Sequence, residues 1–256
     1  MCTLAIYVRT FPDFPLVVAA NRDEFLTRPT SPPTVLDADD GIFGGRDDLA
    51  KGTWLAVNRR GMVGALLNRR SEDPPDPRRR SRGQLCVDML RTDSANAARG
   101  ALGAEAPKSY NPFNLLVADR QRAWVGTNHR FEMAVTDLDD GLHLITNLDV
   151  NDPTCPRIAA SHQLFAGLLR AGSPQPSSPE FRERLREILA THDTELDPRG
   201  PGYGNSLCFH AAEYGTRSSS LIFLDAAGRW TYFHANEAPC RSEHAPQPVM
   251  ELLSRP

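Results

Sequence analysis

The sequence lacks a run of apolar residues long enough to cross a bilayer as a helix. Its longest early one, Phe14 to Ala20, has the length of a strand. It also lacks a charged N-terminal region followed by an apolar stretch and a cleavage site, so no secretory leader is expected. Basic residues are not in excess. With a net charge of −3 the chain has no global positive field, which argues against a nucleic-acid partner. The five cysteines are odd in number and contain no CxxC pair, and no HxxxH or HExxH occurs among the seven histidines. These absences argue against a disulfide framework or a zinc site and for a reducing cytoplasm. No metal and no cofactor are expected. Gly200-x-Gly-x-Gly is not a dinucleotide fingerprint, because no strand leads into it and no helix follows.

What is present reads as a β-rich α+β protein. The 21 prolines and 18 glycines break the chain into short segments, and 256 residues suffice for one continuous domain with no internal repeat. Residues 2–8 and 15–20 are β-branched and apolar and are expected to pair as an antiparallel hairpin. Residues 25–33, rich in proline, read as a loop. Further strands are expected at 42–47, 51–58 and 62–68, and a meander is expected at 113–118, 123–127, 131–136 and 142–146. Residues 69–82 are an arginine- and proline-rich surface loop. Ser81 caps a helix over 84–90, and Asp93 or Ser94 caps a second over 94–102. Two more helices fall at 157–170 and 179–191. Strands at 207–211, 219–224 and 230–234 close the chain, before a loosely packed tail after 237.

Chemistry concentrates at the start. If Met1 is trimmed, Cys2 carries a thiol and a free α-amine on one residue. With pKa values of about 8.5 and about 7.7–8.0 these form a nucleophile and a base, the N-terminal-nucleophile arrangement. A cysteine here also serves as a small buried hydrophobe. The polar string Asn21-Arg22-Asp23-Glu24 ends the second strand, so the hairpin returns it beside Cys2. It supplies a cation for the thiolate and carboxylate or amide groups for the amine. A salt-bridged turn accounts for such a string equally well. Arg78-Arg79-Arg80-Ser81-Arg82 is a solvated loop sooner than a phosphate site. His162, His210 and His234 are possible haem ligands, though a lone histidine is more often structural. Cys86, Cys155, Cys208 and Cys240 read as small buried or tail residues.

Met1-Cys2, Asn21 to Phe25 and Arg28-Pro29 together resemble the N-terminus of the NRDE family, also called the transport and Golgi organisation protein 2 family. The likeness continues through Gly52-Thr53-Trp54-Leu55, Ala65-Leu66-Leu67-Asn68, Ser81-Arg82-Gly83, Tyr110-Asn111-Pro112-Phe113-Asn114-Leu115, Thr146-Asn147-Leu148 and Tyr214-Gly215-Thr216-Arg217. It implies an αββα sandwich of two mainly antiparallel sheets with helices outside, as in N-terminal-nucleophile hydrolases. Cys2 is then the nucleophile, Asp23 holds its amine and Arg22 lies near the thiol, outside the hydrolases' Arg-Asn-x-Asp order. Asn147, or Asn68, supplies the oxyanion donor, and Arg217 is the late arginine beside the cysteine. Asn21, Glu24 and Trp54 would line the ligand site. The implied activity is hydrolysis of a linear amide or acyl bond of a small molecule. The alternative implied by the resemblance is a carrier for haem or acyl-coenzyme A.

Overall fold

The computed structural model describes residues 2–128, 132–192 and 206–253. The Gly200–Gly204 loop and the start of the strand expected from 131 lie outside them. The chain forms two compact units. One comprises residues up to 28, 140–227 and 231–247, and the other 29–139, 228–230 and those from 248 on.

The first unit is built on β1 (Thr3–Phe11) and β2 (Phe14–Phe25). Asp13 sits in the tight turn between them, where its carbonyl accepts the Ala226 N–H at 2.9 Å. The sheet is completed by β10 (Gly141–Ile145), β11 (Tyr214–Leu224), β12 (Trp230–Ala235) and β13 (Ala245–Gln247), in the order β10-β1-β2-β11-β12-β13. Alternation decides which side chains are covered. Ala5, Tyr7, Val17, Ala19, Leu221 and Phe223 share one face. On it pack α3 (Pro156–Ala166) and α4 (Pro179–Leu189), through Ile158, Phe165, Phe181 and Leu185. The Tyr7 hydroxyl enters this apolar layer and donates to the Phe165 carbonyl at 2.8 Å. Ser178 caps α4 by accepting the Phe181 N–H.

The second unit is a seven-stranded antiparallel sheet in chain order. Its strands are β3 (Thr30–Asp37), β4 (Ile42–Asp47), β5 (Leu55–Asn58), β6 (Val63–Asn68), β7 (Phe113–Ala118), β8 (Ala123–Thr127) and β9 (Ala134–Asp137). Helices α1 (Arg82–Leu90) and α2 (Ala95–Gly103) cover it around Leu85, Leu90, Leu102, Phe113 and Trp124. Ser81 and Ser94 cap them, accepting from Gln84 and Ala97.

Four expectations change. The strand expected at 142–146 does not continue the meander, because as β10 it pairs with β1 in the first unit's sheet. The proline-rich stretch to residue 33 is half strand, because β3 is an edge strand and its register shifts between Ser31 and Thr34, where Pro32 and Pro33 need no ladder donor. The segment 207–211 is not a strand. It makes a single bridge, His210 to Gly215. The tail adds β13 and α5 (Val249–Leu253), with Val249 and Leu253 buried.

Two of the glycine motifs turn out to be packing devices. A Cβ on Gly52 would stand 2.2 Å from the Gly83 carbonyl carbon, and Thr53 donates to the Gly83 carbonyl at 3.1 Å. The Gly-Thr-Trp-Leu turn and the start of α1 thus touch backbone to backbone. Gly52→Ala is expected to cost about 1–3 kcal/mol or more through overpacking, read as a lowered midpoint in urea with an unchanged slope. An unaltered midpoint would remove this reading of the motif.

Acid should weaken the first unit. His234 is buried on β12, its Nδ1 2.9 Å from the Ser220 hydroxyl, and burial above all lowers its pKa to about 4. His244 is likewise lowered to about 4 by burial and then by Arg186. Both folded values lie below the unfolded value of about 6.5, so the unfolded chain binds more protons between about pH 6.5 and 4. Stability is therefore lost as pH falls through that window. Melting temperature should drop across it, by less in His234→Gln. An equal drop in that variant would rule His234 out as the cause.

Candidate functional site

Three pairings, among the four strands β1, β2, β10 and β11, set the surroundings of Cys2. In β1 and β2, Thr3 pairs with Asn21, so Cys2 comes opposite Arg22. In β1 and β10, Leu4 pairs with Ile145, where β10 ends two residues before Asn147. In β2 and β11, Asp23 pairs with Thr216 and Arg22 with Ser218, which leaves Arg217 as the extra residue of a β-bulge. A bulge re-aims the side chain it carries. Arg217 uses it to donate to the carbonyl of Leu26.

The half-buried Cys2 thiol lies against the backbone of Asp23. Its sulfur accepts the Asp23 N–H at 3.4 Å and lies 3.6 Å from the Asp23 carbonyl. Burial raises the thiol pKa, and the Asp23 carboxylate adds to the effect. The Asp23 N–H and the Arg22 guanidinium pull the other way without reversing it. The resting state is therefore a thiol, which needs a base at the moment of attack.

The Asp23 carboxylate is fully buried and turned toward α3. It accepts from Arg157 Nη1 at 3.1 Å and from the Thr216 hydroxyl at 2.7 Å. The same Arg157 nitrogen donates to Thr3 Oγ1 at 3.0 Å, and its guanidinium lies over the Phe209 ring. The Tyr214 hydroxyl donates to the Asp23 carbonyl at 3.0 Å. Arg157 is the residue that sequence reasoning missed. It stands on the buried stripe Arg157, Ser161, Phe165 of α3, at four-residue spacing. A charge on that stripe has to find a buried partner.

The remaining candidates fall in different settings. Arg22 is buried and pairs with Glu24 at 3.5 Å, and Glu24 also meets Arg28 at 3.8 Å. Asn21 Nδ2 donates to the carbonyls of Leu189 and Leu207, at 2.8 and 2.9 Å, so it joins the end of α4 to a distant segment. Asn68 and Trp54 belong to the second unit. Asn68 is exposed at the end of β6, and the half-buried Trp54 ring occupies the space a side chain on Gly45 would need.

Beside the cluster a cavity of about 400 Å³ is lined by Leu26, His210, Thr216, Arg217, Glu237 and Arg241, among others. This volume lies in the range of small-molecule sites. Its wall carries two arginines and one carboxylate. Among the described residues no helix is long and apolar enough to cross a membrane.

Comparison with known proteins adds two findings. The family model described as Transport and Golgi organisation 2 matches residues 1–237. The Transport and Golgi organization 2 homolog of Mus musculus is 27% identical over 238 residues, covering 85% of this chain and 84% of that protein. The Drosophila melanogaster protein is 26% identical over 257 residues, covering 90% and 89%. Among solved structures, a cysteine-to-alanine mutant of the conjugated bile acid hydrolase from Clostridium perfringens superposes with a TM-score of 0.59 at 11% identity. The match covers 96% of each chain. The Caenorhabditis elegans ortholog of N-acylethanolamine-hydrolyzing acid amidase gives 0.58 at 14%, covering 87% and 92%. The fold class is thus that of the N-terminal-nucleophile hydrolases, α+β with antiparallel sheets.

Proposed function

This chain belongs to the Transport and Golgi organisation 2 family, and we propose that it is an N-terminal-cysteine hydrolase of linear amides. The observation that carries the proposal is the placing of the Cys2 thiol on the Asp23 N–H, with Arg22 at the neighbouring position of β2. Removal of Met1 exposes the Cys2 α-amine. That amine takes the thiol proton as sulfur attacks the substrate carbonyl, so the raised thiol pKa is no obstacle. The Asn147 amide donates to the oxyanion that forms. The amine then protonates the leaving nitrogen, and water releases the acid from the acyl-cysteine. Arg22 and Arg217 supply positive charge near the developing anion. Asp23 is the anchor: its carboxylate, locked by Arg157 and Thr216, fixes the strand whose N–H meets the sulfur.

The solved hydrolase and amidase of the same fold support amide chemistry as the class to test. The test has two parts. Intact mass of the purified chain should show Met1 absent, and a panel of N-acyl amides should include one that is turned over with a burst of acyl-enzyme. A retained Met1 leaves no free Cys2 amine and ends the mechanism.

A second reading is favoured by the cavity wall. Arg217 and Arg241 suit the carboxylate of haem or the phosphate of acyl-coenzyme A, so the site is also proposed as a carrier pocket. On that reading either ligand binds one to one, and the Cys2→Ala chain binds it equally well. Calorimetry that shows no heat with either ligand counts against it.

A further inference from the structure

The fold brings together four side chains that the sequence scatters. His192 follows α4, Cys208 and His210 lie in the segment leading to β11, and Cys240 follows β12. One ligand atom from each falls within 4.8 Å of all the others. The Sγ atoms of Cys208 and Cys240 are 3.6 Å apart. His210 Nε2 lies 3.2 Å from the Cys240 sulfur and 3.9 Å from the Cys208 sulfur. A tetrahedral ion with Zn–S bonds of about 2.3 Å and Zn–N bonds of about 2.0–2.1 Å requires ligand-to-ligand edges of roughly 3.3–3.8 Å. The observed separations straddle that interval before any ion has drawn the groups in.

We propose that His192, Cys208, His210 and Cys240 form a structural zinc site. Two thiolates and two imidazoles are a soft to borderline donor set, which selects Zn²⁺ over Mg²⁺ or Ca²⁺. Four protein ligands fill a tetrahedron, leaving no open position for a reacting water, so the ion's role is to hold the chain. Binding displaces the two thiol protons into solvent, and no oxidant or reductant is needed. The expectation of no metal came from spacing. Cys208-x-His210 is the only close pair, and the other two ligands lie 16 residues before and 30 residues after it.

The ion would brace the Cys2 cluster from the wall of the neighbouring cavity, which His210 also lines. The Phe209 carbonyl accepts the Thr216 N–H at 2.9 Å, and the Phe209 N–H donates to Thr216 Oγ1 at 3.2 Å. That Thr216 hydroxyl in turn donates to Asp23. Tying Cys208 and His210 to Cys240 and His192 therefore steadies the residue between them, whose backbone positions the support of Asp23.

The test uses the full chain without a histidine tag, reduced and then loaded with Zn²⁺ or Co²⁺. Elemental analysis after gel filtration should give one zinc per chain. The cobalt form should show the intense visible bands of a tetrahedral ion, with thiolate charge transfer. Cys240→Ser and His192→Gln replace exposed side chains, so they should keep the wild-type far-ultraviolet dichroism. Each should weaken cobalt binding by at least about tenfold. Cobalt bands that are unchanged in Cys240→Ser, a weak octahedral spectrum, or a reduced chain that takes up no metal would each overturn the assignment. So would a Cys208–Cys240 disulfide that persists in place of metal under the reducing conditions of loading.

Discussion

Cys2→Ala lowers amide turnover by about 10⁴-fold or more and leaves the melting temperature within a degree or two of wild type. The first figure follows from losing the only atom that bonds to the substrate. Knocking out one member of a nucleophile–base unit costs nearly as much as removing all of it. The second follows from the setting of the thiol. The side chain is half-buried, and Asp23, whose backbone N–H it accepts from, stays in the strand ladder when the thiol is removed. Asn147→Ala is the graded comparison. It removes the proposed oxyanion donor and should cost about 10²–10³ in kcat, or about 2.7–4 kcal/mol, with little change in KM. The assay that decides is single-turnover hydrolysis of the best amide found for the wild type. Residual activity in Cys2→Ala above a tenth of wild type would move the chemistry elsewhere. A loss in Asn147→Ala confined to KM would place that amide on the substrate instead of the oxyanion.

Asp23→Asn is expected to unfold the first unit at markedly lower temperature. The Asp23–Arg157 pair is buried, with side-chain exposures of 0% for Asp23 and 2% for Arg157. Removing one member of such a pair leaves the other charge in the interior without its counter-ion, at about 3–5 kcal/mol. For a chain of this size that corresponds to roughly 6–20 °C in Tm. Replacing both partners tells a different story. Asp23→Asn with Arg157→Met leaves no orphaned charge and should recover most of the loss, because the desolvation cost of the pair nearly cancels its attraction. A double variant as unstable as the single one would show that the pair contributes more than charge balance. The same comparison separates stability from catalysis. Turnover should stay low in the recovered double variant, since the Asp23 carboxylate that anchors the thiol's strand is absent from both.

The parts of the fold that were legible in the sequence are those whose causes are local. Ser81 and Ser94 announce their helices because a cap acts over three residues. The β1–β2 hairpin follows from two apolar runs joined by a short turn, and it carried the prediction that Asn21 to Glu24 meet Cys2. What stayed hidden depends on distant partners. Pro32 and Pro33 look like loop residues until β3 proves to be an edge strand. Leu207 to Ala211 alternates like a strand, yet the neighbour it needs is supplied only at His210. Arg157 is an ordinary helix residue by composition and becomes the partner of Asp23 across 134 residues. Asn21 is the instructive case among the site residues. The resemblance implies a place for it at the ligand site, and its amide serves two carbonyls that no local pattern connects.

That amide also sets where the gene has freedom. By holding the Leu189 and Leu207 carbonyls at 2.8 and 2.9 Å, Asn21 fixes both ends of the intervening stretch to the strand that carries the site. A change of length between Leu189 and Leu207 that keeps both carbonyls on Asn21 leaves the strand beside Cys2 in place. An insertion of the same size between Cys2 and Asn21 would break the pairing that puts the thiol beside Asp23. Length variation in this lineage should collect in the first interval and be purged from the second.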